Sequence, residues 1–327
     1  MSEARIAQPL DLRGRFTVAA PMLGLVLVIA LFALDPDVRP YFFTWRNCVL
    51  ILSQTAVIGV GALGMTMIIV SGGIDLSVGS AVALSGVVCA TVLTHGAPAA
   101  AMGLAILTGA AVGLANGAAI GYLRMVPFIV TLGMMGIARG AAKWLAGNQT
   151  VNPPDNAVVA LMSTQSDTTG TLAMPLGVWL VLLLAAAIAL VMARSVFGRH
   201  VYAIGSNEAA ARLCGIRVPL VKLWIYSFAG MLFGFAGVLQ YARLTQGDPT
   251  VAVGLELDVI AAVVLGGASL SGGTGSVPGA LIGALIMAVL RNGSNQMGWP
   301  NYVQEIIIGA VIILAVGVDR LRPRNDA

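Results

Sequence analysis

The sequence predicts an all-α, polytopic membrane bundle of about ten spans, and three observations carry that reading. Hydrophobic residues fill 58% of the 327 positions and charged residues only 10%, against roughly 25% charge in an ordinary soluble domain. Mean hydropathy is +0.92, and the apolar residues gather in runs close to the ~20 that a lipid-crossing helix needs. Glycine is abundant at 40 residues, without a collagen period or a low-complexity tract, as in closely packed membrane helices. A chain this poor in charge has no means of covering a water-facing surface. A soluble two-domain protein is excluded.

The elements follow in order. Residues 1–16 are polar, carry Arg5, Arg13 and Arg15, and read as a cytoplasmic N-terminal segment. The apolar run from Thr17 to Leu34 is longer than a signal-peptide core, and no small-residue cleavage site follows it before Asp35, so it reads as a retained first span. Further runs lie near 48–70, 76–94, 97–121, 125–145, 172–193, 220–240, 257–274, 276–292 and 303–318. Several are short or interrupted by glycine and read as tilted, broken or re-entrant. Residues 17–318 therefore form a single transmembrane domain containing the loop 194–219, and 319–327 form a cytoplasmic tail. With both termini inside, twelve of the 18 Lys and Arg residues fall on the cytoplasmic side or its margin, in line with the positive-inside rule. The polar connection 146–171 is then external.

Most chemistry is absent from the pattern. Cys48, Cys89 and Cys214 are isolated, and His95 and His200 are too scattered for a metal site. The basic clusters border apolar spans and lack interleaved aromatics, which argues against nucleic acid. No catalytic constellation, bound cofactor or metal is expected.

What remains is packing and polar punctuation. Glycines 109, 113, 117 and 121 share one helical face, and Gly230/Gly234 and Gly279/Gly283 are shorter versions. Such faces let backbones approach closely, for static packing or as a mobile seam. Asn116 sits beside the first ladder and reads equally as an interhelical hydrogen bond or as a translocation-path residue. Thr131 is a second candidate for the path. In GGIDLSVGS, 72–80, Gly72 and Gly73 permit a turn, Asp75 or Ser77 caps the next helix, and Gly79 completes a structural or gating motif. The stretch 266–276 has a similar texture, and the two mark broken helices. Glu256, Asp258 and Glu305 read as helix-start acids. In GSNEAAARLCGI, 205–216, Asn207 caps a short helix that Gly215 ends. Glu208 and Arg212 stand in the favourable i, i+4 order, and Ala209 and Ala210 give it a small surface suited either to solvent or to a partner's groove.

These residues carry a resemblance. GGIDLSVGS at 72–80, VPFIVTLGMMGIARG at 126–140, GSNEAAARLCGI at 205–216 and the glycine-rich 265–283 region together resemble the membrane permeases of bacterial ATP-binding-cassette sugar importers of the ribose, xylose and arabinose type. The resemblance implies import of a monosaccharide by alternating access across the bacterial inner membrane. It further implies a second permease subunit, cytoplasmic ATPase domains that contact 205–216, and a periplasmic or lipid-anchored sugar-binding protein. The sequence agrees in one respect: it has no GxxxxGK[ST] loop, and Gly272, Gly273 and Gly275 lack the following lysine. ATP is therefore expected to be used by a separate ATPase. Another small polar solute (a polyol, a sugar-like signal or a nucleoside) is the alternative cargo. An ion-coupled carrier would call for acids deep within spans.

Overall fold

The computed structural model describes residues 12–163 and 174–321. Most of the expected N-terminal segment, Gln165 in the external connection, and the tail from Arg322 to Ala327 lie outside the described residues. Thirteen α-helices occur among those described: α1 (Leu12–Ala33), α2 (Arg39–Phe42), α3 (Trp45–Val70), α4 (Val78–Leu93), α5 (Pro98–Gly121), α6 (Pro127–Leu145), α7 (Leu176–Arg194), α8 (Val196–Ser206), α9 (Glu208–Leu213), α10 (Val218–Leu244), α11 (Leu255–Leu265), α12 (Val277–Gln296) and α13 (Asn301–Leu321). The protein is an all-α polytopic membrane bundle. Among the described residues, six helices are long and apolar enough to cross a bilayer: α3, α5, α6, α7, α10 and α12.

Local chemistry explains where the helices begin. Thr44, Ser195 and Ser276 each accept a backbone N–H from the first turn of α3, α8 and α12, removing one orphan donor apiece. Proline occupies the first turn of α5, α6, α10 and α12, where its missing N–H costs nothing.

All ten expected segments contain a helix, but only six of these helices are long and apolar enough to span, and two of the others depart furthest from a plain span. The 76–94 segment is a 16-residue helix, α4. The 257–274 segment is helical only over the 11 residues of α11, about 16 Å of rise against a hydrocarbon core of about 30 Å. Gly267, Gly272, Gly273 and Gly275 all take positive φ, so the chain leaves the helix after Leu265 and runs irregularly to α12. Neither α2 nor α8 was expected.

The bundle is organised around α10, which packs on α5, α3 and α4, while α12 lies against α3, α11 and α1. The glycine faces meet each other between α5 and α10. A Cβ on Gly117 would stand 2.9 Å from Leu223 Cα, one on Gly234 2.7 Å from Ala105 O, and Gly109 and Gly113 face Gly230 equally closely. The seam is backbone against backbone. By contrast α6 packs chiefly on α4 and α5; Phe128, Ile129 and Ile137 on it are exposed, and Gly133, Gly136 and Gly140 have open space beside them.

Candidate translocation and coupling sites

Between α3 and α4 the chain is irregular. At one end Gly72, with φ +82°, turns it beneath α3. At the other end Val78 and Val259 both pack over Gly61, which lies about 14 Å short of the end of α3 by helix rise. Residues 71–77 therefore climb back along α3 before α4 begins. The start of α11 lies at the same level, because Gly79 abuts Ala252 O and Glu256 Oε2. Two half-length helices thus start side by side within the bundle.

Backbone climbing through a bundle without helical bonding needs other partners, and the candidate residues supply them. Asp75 is 1% exposed. Its Oδ1 accepts the Ser77 N–H at 2.7 Å and the Ser77 hydroxyl at 2.6 Å, while its Oδ2 accepts from Asn116 Nδ2 at 3.3 Å. Asn116 also donates to Ser77 Oγ at 3.0 Å. Thr131 Oγ1 donates to Ile74 O at 3.3 Å. Four residues chosen separately from sequence are therefore joined around one segment, from α5, α6 and the segment itself. Neither capping alternative takes its expected form: Asp75 accepts the N–H of Ser77, the residue before α4, and Ser77 makes no side-chain bond to the first turn because its hydroxyl is engaged with Asp75. Asn116 Oδ1 and the Tyr226 hydroxyl, which lies against Gly73, are buried without a partner among the described residues.

Below this cluster the three glycine-rich stretches meet. Gly273 N donates to Val70 O at 2.8 Å. A Cβ on Gly205 would press on Val70 O and stand 2.6 Å from Gly273 N, and one on Gly272 would stand 3.0 Å from Gly72 Cα. Tyr202 on α8 donates to Gly275 O at 2.8 Å. The end of α8 is thus wedged against both irregular segments, 71–77 and 266–276.

Directly after it comes α9. Asn207 Oδ1 accepts from Ala210 N at 2.9 Å, as its sequence position predicts. Gly215, φ +83°, closes the helix through bonds from Gly215 N to Arg212 O and from Ile216 N to Ala211 O, the paired pattern of a glycine C-terminus. Glu208 bonds Arg212 and also Lys222 of α10, each at 2.6 Å. Burial alone pushes the Glu208 carboxyl up, but hydrogen bonds from Arg212 and Lys222 outweigh it and hold it below the usual glutamate range. Lys222, missed from sequence, anchors α9 to the bundle. Ala209 and Ala210 are exposed, as is Leu213, at 90%.

At the opposite end of the bundle is a polar cavity of about 310 Å³ between α3, α10, α11, α12 and α13. Asp258 is buried there and bonds Arg291 through two contacts of 2.6 and 2.9 Å. It is an ion-paired wall residue as well as a helix-start acid. Gln54, Gln240 and Arg243 also line the cavity. They went unnoticed in the sequence although each is a polar interruption near the end of an apolar run. Among the described residues, no group of three His, Cys, Asp or Glu side chains is placed to hold a metal.

Comparison with known proteins fits this geometry. Residues 47–316 match the family described as branched-chain amino acid transport system / permease component. The chain is 40% identical over 303 residues to the ribose import permease protein of Escherichia coli (strain K12), covering 90% of this chain and 92% of that one. It is 36% identical over 323 residues to the L-arabinose ABC transporter permease protein of Azospirillum brasilense, covering 98% and 93%. It is 34% identical over 307 residues to the fructose import permease protein of Rhizobium meliloti, covering 92% and 85%. No solved structure matches the chain.

Proposed function

Because this chain belongs to the permease family of bacterial ATP-binding-cassette sugar importers, we propose that it carries a monosaccharide, a pentose or a hexose, inward across the bacterial inner membrane. The observation that carries the sugar reading is the near full-length similarity to permeases named for ribose, arabinose and fructose. The permease performs no covalent chemistry. ATP is used by separate ATPase subunits.

In this reading residues 17–318 form one permease domain of ten spans with α4 and α11 broken, and both termini face the cytoplasm. Two such subunits, identical or homologous, pair around a central path. Cytoplasmic ATPase domains engage the exposed face of α9, built from Ala209, Ala210 and Leu213, with Asn207, Glu208, Arg212 and Gly215 fixing its shape. A periplasmic or lipid-anchored binding protein delivers the sugar to the other side. Closure of the ATPases pushes α9, and α8 passes the displacement through Gly205 to both irregular segments. Gly72, Gly73, Asp75, Ser77 and Gly79 serve as the gate, and Asn116 and Thr131 hold its position beside the path. The contacts of Asp75 and of Gly205 support these roles.

The family description itself names branched-chain amino acids, which is the second reading. Vesicles containing the permease, its ATPase and its binding protein decide between them. ATP-dependent uptake of ribose, arabinose or fructose is the expected result. Uptake of leucine, isoleucine or valine with no sugar uptake refutes it.

A further inference from the structure

We propose that the cavity at the end of the bundle opposite α9 is a receiving subsite for the sugar, one in each permease subunit; this rests on the sugar-importer reading above. Its volume, about 310 Å³, is at the small end of ligand sites, which run from about 300 to 1,000 Å³. It descends from Asn301 at the start of α13 to Val57 and Ile58, about halfway along α3.

The lining selects a neutral polyhydroxyl compound. Asp258 and Arg291 neutralise each other through their paired contacts, which leaves Arg243 as the uncompensated charge of the wall. Arg243 makes one long bond, 3.3 Å, to Gln240. The side chains of Gln54 and Asn301 have no hydrogen-bond partner among the described residues. Forked amides and a guanidinium with unused capacity match hydroxyls that both donate and accept, while Val57, Ile58 and Leu255 offer an apolar surface to the C–H face of a ring. A phosphorylated sugar, a dianion, would find only the single charge of Arg243 to meet it, since Arg291 is already taken by Asp258. A zwitterionic amino acid would need an unpaired carboxylate for its ammonium, and Asp258 is already taken by Arg291.

Position links the cavity to the gate. One wall is the loop 245–254, held to α6 by Arg139, which donates to Pro249 O at 2.9 Å and Val251 O at 2.6 Å. Ala252 in that loop sits on Gly79 at the start of α4. Asp258 belongs to α11, whose other end runs into the segment touching α8. A sugar bridging Gln54 and Arg243 therefore lies against α11 and against the loop that rests on the start of α4, at the start of its route.

The test uses Val253→Cys, an exposed wall position, in a background with Cys48, Cys89 and Cys214 changed to Ala. The purified permease–ATPase complex is labelled with a small charged maleimide in the presence of D-ribose, L-arabinose or D-fructose, and uptake is measured in parallel. The sugar that is taken up should slow labelling several-fold. Adding Gln54→Leu should raise the protecting concentration about tenfold, the loss of one hydrogen bond to ligand. Uptake of a sugar that gives no protection overturns the subsite and leaves the importer reading intact. Protection unchanged by Gln54→Leu together with Arg243→Gln also overturns it. So does equal protection by sugar-free binding protein, which makes the cavity a docking socket. Absence of any monosaccharide uptake removes the importer reading itself and the subsite with it.

Discussion

Gly205→Ala probes the junction through which α9 is proposed to act. The new methyl would press hardest on Val70 O and stand 2.6 Å from Gly273 N, so the Gly273 backbone must give by about 0.8 Å to regain the 3.4 Å of ordinary contact, and Val70 O by more. Both obstacles are main chain, and no side chain can rotate away. Overpacking of this kind costs about 1–3 kcal/mol, and stretching the bond from Gly273 N to Val70 O adds about 1 kcal/mol. Alanine returns up to about 1 kcal/mol through helix propensity, leaving a net of roughly 1–3 kcal/mol. That is too little to unfold the bundle and enough to loosen α8 from the irregular segments. Gly103→Ala, with open space around it, is the matched control. In reconstituted vesicles Gly205→Ala should keep its ATPase through purification yet lose most uptake and most substrate-stimulated hydrolysis. Equal performance of the two variants refutes the junction.

Other expectations are as direct. Asp75→Ala strands the two Ser77 donors and one Asn116 donor, at about 1–3 kcal/mol for each buried group left unpaired, and should impair uptake with the complex assembled; Asp75→Asn should be milder, because Asn116 can flip to present its unpartnered oxygen. Normal uptake by Asp75→Ala defeats the gate assignment. Ala210→Trp should abolish ATPase retention, since a ring has no room in a contact shaped for a methyl group; full retention and uptake make α9 an ordinary surface turn. Glu208→Ala should be weaker than Ala210→Trp in the same assay. The Glu208 carboxyl is held below its usual range, so its stabilising contribution is complete above the ordinary value near 4.3 and vanishes only as pH falls through the lowered one; uptake should show no Glu208-dependent change near neutrality. Single cysteines at Asn207 and Gln165 should label from the cytoplasm and from outside respectively, and the reverse pattern inverts the topology.

The parts legible in sequence were those written in local code. Asn207 and Gly215 bracket α9 because capping and helix termination depend on neighbours within a turn. The long helices were placed for a related reason, because an apolar run of about 20 residues is itself a contiguous feature. The Asp75 site was half legible: the carboxylate's bonds to Ser77 are local, but those to Asn116 cross 41 positions, and Thr131 reaches Ile74 across 57. No periodicity encodes such distances. In the 257–274 run the glycine texture marked a broken helix but not where it ends, because hydropathy averages over Gly266 and Gly267 as if they continued a helix, whereas Gly267 turns the chain away. The polar cavity draws on five helices, and only their assembly brings Gln54, Gln240, Asp258 and Arg291 together.

The seam between α5 and α10 has a mechanical consequence. Two backbones with hydrogen atoms between them have no cushion of bendable side chains, so the pair resists both compression and sliding and acts as one girder. A machine that alternates between two shapes needs such a fixed beam and a lighter member that swings from it. With its bare glycines and sparse covering, α6 is the more lightly held member, packed on α4 and α5 and tied by Arg139 to the loop 245–254 and by Thr131 to Ile74.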